Sequence, residues 1–65
     1  MDDTKRKMVT EAYDETVSEA LARGVDTDTA HIEGVTAAAM FFASLAGIDD
    51  AAAREDVELL GLKPE

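Results

Sequence analysis

Apolar residues recur at steps of three and four from Met8 to Leu21, through Val9, Ala12, Tyr13, Val17 and Ala20. That period marks one face of a helix turned toward a core. Glu11, Asp14, Glu15, Ser18 and Glu19 fall on the other side, so the pattern predicts a one-sided amphipathic helix over 4–23. A second helix is predicted over 28–46, and its apolar positions form two neighbouring seams. Ile32, Val35, Ala39, Phe42 and Ala46 make one; Gly34, Ala38, Phe41 and Leu45 make the other, with Ala37 beside them. Only the strip of Glu33, Thr36, Met40 and Ser44 suits water. A helix facing one partner needs an apolar arc of roughly 100°. Here the arc is about twice that, which predicts a central helix packed on at least two sides. A short third helix over 50–60 places Ala53, Val57 and Leu60 on one face, with Leu59 offset. No strand alternation and no internal repeat interrupts this order.

Glycine followed by an aliphatic residue closes each helical pattern: Gly24-Val25, Gly47-Ile48 and Gly61-Leu62. Glycine takes the left-handed conformation at a helix end, and the next apolar side chain folds back on the last turn. Leu62 is expected to meet Val57 in this way. The first two stops run into "DTDT" and "DD", whose oxygens can accept from free N–H groups of the next helix, with Asp28 expected at the second cap. Pro64 stops any continuation of the tail. The pattern therefore predicts an all-α fold, one small helical domain over 1–65 with 1–3 and 63–65 frayed. Helix two is central, and dimerisation is expected to complete the bundle. Coverage of helix two by one copy each of helices one and three is the alternative.

Length sharpens that expectation. A chain of 65 residues buries only about 60% of its unfolded surface, so small scaffolds usually need a staple. There is no cysteine and only one histidine, which excludes disulfides and thiolate zinc sites. Oligomerisation is the support that remains. The apolar run 34–48 is shorter than the roughly 20 residues of a membrane span, and no leader pattern is seen, so a cytoplasmic location is expected.

Charge then narrows the partners. The net charge is −9, and between Met8 and Leu62 twelve acids face only Arg23 and Arg54. Such a surface repels nucleic acid and anionic membranes and attracts a basic protein surface. Glu11, Glu15 and Glu19 form an i, i+4 ladder of like charges, which costs helix stability unless a partner or salt neutralises it. The one basic cluster, Lys5-Arg6-Lys7, opposes the dipole of the first helix and lies close to Asp2 and Asp3.

Candidate chemistry is thin. His31-Ile32-Glu33 has the H-x-E form of a zinc deaminase half-site, but the required P-C-x-x-C element is missing. Asp28 and His31 share the i, i+3 spacing of carboxylate–histidine pairs in di-iron bundles, without the inward carboxylates those sites add. "DTDTAHIEG" lacks the sixth-place glycine of a calcium loop, and Ala37 stands where its twelfth-place acid belongs. No serine or threonine belongs to a nucleophile constellation, and no glycine-rich loop can cradle phosphate. The chain is accordingly read as non-enzymatic, with no catalytic, cofactor or metal residues and no small-molecule substrate. Gly34 costs a helix interior about 1 kcal/mol relative to alanine, so close packing must repay it. Gly34, Ala38, Phe41, Leu45 and Phe42 are the candidate self-interface. Glu11, Glu15 and Glu19 are the candidate surface for a basic partner. The functional expectation is a small acidic protein-interaction module, homodimeric. The alternatives are an acidic inhibitor of the phage or DNA-mimic kind, and a protein whose charge answers a high-salt cytoplasm.

Overall fold

Three aspartates open three helices in the same way. In the computed structural model, which describes residues 1–64, Asp2, Asp26 and Asp49 each have extended backbone. Each carboxylate accepts the backbone N–H three residues on, from Lys5, Thr29 and Ala52, at 2.8 Å. This satisfies one of the N–H groups that every helix start leaves without a partner. The helices so begun are α1 (Asp3–Ala22), α2 (Thr27–Ala46) and α3 (Asp50–Glu58). Asp26, not Asp28, is the second cap; Asp28 sits in the first turn, where its charge complements the helix dipole. The backbone hydrogen bonds from Lys5 and Thr29 hold the Asp2 and Asp26 carboxyls below the usual aspartate range. α1 starts one residue before its predicted start at Thr4 because Asp2 supplies the cap.

The ends obey the glycine signal. Gly24, Gly47 and Gly61 have φ of 86°, 70° and 68°. After α1 the Val25 N–H donates to the Ala20 carbonyl at 3.1 Å and the Gly24 N–H to the Leu21 carbonyl at 3.0 Å, the paired bonds of a Schellman stop. After α2 both Gly47 and Ile48 donate to the Ala43 carbonyl. α3 stops at Glu58, two residues before its predicted end. Its exit tightens into i→i+3 bonds from Leu60 to Val57 and from Gly61 to Glu58. Leu62 then packs against the core. Residues 62–64 have no helical structure, and Glu65, the last residue of the expected loose tail, lies outside the described residues.

The short Arg23–Asp26 connection turns the chain back, so α1 and α2 form a hairpin. α3 leaves α2 through a bend of 118° and packs back against it. Both flanking helices pack on α2 and scarcely on one another, which makes α2 the centre of the bundle. The core holds Ala20, Ala30, Ala38, Ala39, Ala43 and Ala53, with Val9, Val17, Val35 and Val57 around Tyr13 and Phe42. Among the described residues, no leucine, isoleucine or methionine is fully buried in it. The exposed area is 4183 Å², against about 4,000 Å² for a compact monomer of this mass. The radius of gyration is 11.1 Å, where a chain of this length gives about 11 Å.

Candidate functional site

Gly34 explains how α1 seats on α2. A Cβ placed there would lie 2.6 Å from Val17 Cγ2 and 2.8 and 2.9 Å from the Tyr13 ring. Contacts that short do not occur, so only glycine admits the ring. The mid-helix glycine is therefore used for close packing within the chain, against α1. Ala38 and Phe42 are buried in the same core. Of the five residues proposed for self-association, Phe41 and Leu45 alone stay open, at 38% and 39% exposure.

Beside that notch, the wholly buried Tyr13 carries its hydroxyl to His31 Nδ1 at 2.6 Å, with the rings edge to face at 5.6 Å and 74°. Burial, with the Asp14 charge adding to it, raises the phenol above its ordinary value of 10.0. The phenol thus stays protonated at neutral pH, and its hydroxyl shares a hydrogen bond with His31 Nδ1 whose donor is set by the imidazole tautomer. His31 links α1 to α2 through this bond. Its signal in the sequence was faint, because Tyr13 reads simply as one more apolar-stripe residue and its partner lies 18 positions away.

Other polar contacts brace the same frame. Arg23 at the end of α1 reaches Glu33 on α2 at 2.7 Å. Arg54 on α3 donates to Thr36 on α2 at 2.8 Å, so Thr36 is half-buried although its strip suits water. Lys5 and Arg6 pair with Asp2 and Asp3 at 3.4 and 2.9 Å, which offsets the basic start of α1. Among the described residues, no group of three or more His, Cys, Asp or Glu side chains is placed to hold a metal ion. An open groove of about 730 Å³ runs between the start of α1 and the chain after α3. Arg6, Lys7, Glu11, Leu59 and Leu60 line it, with mixed charge and no converging set of polar groups.

Two surfaces remain. Glu11, Glu15 and Glu19 are all exposed on α1, and none has an ion pair among the described residues. On α2, steps of three and four lead from half-buried Ala37 through Met40, Phe41, Ser44 and Leu45, all exposed, with Ile48 just beyond the helix end. This second face carries no charge between Glu33 and Asp49. The hairpin sets Tyr13 beside Gly34, so the charged start of α1 lies toward the C-terminal end of α2. No single helix among the described residues is long and apolar enough to cross a membrane. Comparison with protein-family models, curated proteins and solved structures gives no match to this chain.

Proposed function

We propose that this chain is a small, non-enzymatic protein-interaction module that pairs with a second copy through the outer face of α2. The observation that supports it is the uncharged strip of Met40, Phe41, Ser44, Leu45 and Ile48. It stays open after both flanking helices have taken their places. Contiguous apolar surface on a monomer marks an interaction site more often than an accident. Pairing of like faces about a two-fold axis is the commonest way for such a face to be covered. Sedimentation equilibrium at micromolar concentration tests the reading. The wild type should show twice the chain mass, and a Phe41→Glu, Leu45→Glu variant should show the single mass with unchanged helix content. A single mass for the wild type across the accessible range would defeat it.

A second reading rests on the acidic face. Glu11, Glu15 and Glu19 stand one turn apart, exposed and unpaired, which suits recognition of a basic protein surface. Capture of a basic partner from extract at low salt, released at moderate salt and lost in a triple glutamine variant, is the outcome this reading requires.

A further inference from the structure

We propose that the Tyr13–His31 bond is a pH-sensitive latch between α1 and α2, held by the neutral imidazole and released by the imidazolium. The Tyr13 hydroxyl belongs to a wholly buried residue, and among the described residues its one hydrogen-bond partner is His31 Nδ1 at 2.6 Å. A neutral imidazole has one ring nitrogen able to accept, so it can take the phenol hydrogen. An imidazolium carries hydrogen on both nitrogens and accepts nothing. The phenol oxygen then only receives, and its own hydrogen is left inside the core without an acceptor. A buried donor without a partner costs at least as much as the bond contributed.

The surroundings give the charged ring somewhere to go. His31 is half-buried and borders a cavity of about 270 Å³ between α2 and the exit of α3, shared with Val57, Glu58, Leu62 and Lys63. Asp28, one turn earlier on α2, lines an adjoining groove with the ring. The charged groups about His31 are thus Asp28 on α2, Asp14 next to Tyr13 on α1, and Glu58 and Lys63 on α3 and its exit. Glu33, two residues on, is held by Arg23. Three carboxylates against one ammonium favour an imidazolium turned toward Asp28 or Glu58 and away from the phenol. The ring so released is the one seated in the Gly34 notch, and its loosening frees α1 over α2.

Composition isolates the signal. The chain has one histidine, one tyrosine and neither tryptophan nor cysteine. Histidine is the side chain that ordinarily titrates between pH 5 and 8, and tyrosine fluorescence belongs to Tyr13 alone. The test follows that emission in the full chain from pH 7.5 to pH 5, with denaturant unfolding at both ends, for wild type, His31→Gln and Tyr13→Phe. Wild-type emission should change with a single-proton midpoint, while His31→Gln, whose amide still accepts but does not titrate, should stay flat. The folding constant of the wild type should exceed that of Tyr13→Phe on the order of fivefold at pH 7.5 and approach it at pH 5. Constant wild-type emission, an equal change in His31→Gln, or a stability ratio that ignores pH would each overturn the latch. Should His31→Gln fail to fold, nuclear magnetic resonance of the wild type decides: the Tyr13 ring should shift with the midpoint of the His31 ring, and a Tyr13 ring indifferent to that titration would end the proposal.

Discussion

The interior of this protein is built from smaller residues than its exterior. Six alanines and four valines surround Tyr13 and Phe42, while Ile32, Met40, Leu45 and Leu59 face water. Leu59 is 84% exposed. In most small domains the large aliphatic residues supply the core, and each contributes roughly 1.5–3 kcal/mol when fully buried. Here close approach of the helices replaces bulk. Small side chains let α1 and α3 lie near the α2 backbone, and several larger apolar residues are left at the surface. The contrast separates residues that hold the monomer from residues available for association.

Substitutions can break that contrast. The largest effect is expected at Gly34. Gly34→Leu should cost at least about 3 kcal/mol, or abolish the fold, because the new side chain meets the Tyr13 ring and Val17. Denaturant unfolding followed by circular dichroism measures it; unchanged stability in a monomer would end the close-packing account. Next comes Val57→Ala, which opens a cavity where α3 meets α2 and should cost about 2 kcal/mol in the same assay.

Tyr13→Phe removes the bond to His31 and should cost about 1 kcal/mol at neutral pH. It also tests the phenol's titration. The folded chain holds that proton more tightly than the unfolded one. The Tyr13 contribution is therefore complete below pH 10.0 and declines as pH rises through the higher folded value. Wild type should lose stability on that alkaline side faster than the phenylalanine variant, and parallel curves would contradict the buried phenol. The smallest effect is expected outside. Met40→Ser should leave monomer stability within about 0.5 kcal/mol while weakening self-association.

The number of helices, their order and their stops were legible because each signal is local. Glycine needs only its own φ to end a helix, and an aspartate needs only the N–H three residues on. The choice of inward faces was harder. Helical projection groups Ile32 with Val35 and Phe41 with Ala38, yet Ile32 and Phe41 are exposed. The projection gives direction around one helix but not how far its neighbours extend along it. The second cap was read two residues late because "DTDT" offers two aspartates, and only the backbone geometry distinguishes Asp26 from Asp28. The Tyr13–His31 bond and the Arg54–Thr36 bond each join residues 18 apart, so they depend on how the helices are set against one another.

The alanine–valine core has a thermal consequence. Unfolding raises heat capacity in proportion to the apolar surface newly wetted, about 12–15 cal/mol/K per residue in ordinary domains. Ile32, Met40 and Leu59 are already mostly wet in the folded chain, so calorimetry should find a somewhat smaller increment. A smaller increment flattens the curve of stability against temperature. The folded chain would then resist cold, because a flatter curve falls off more slowly below its maximum.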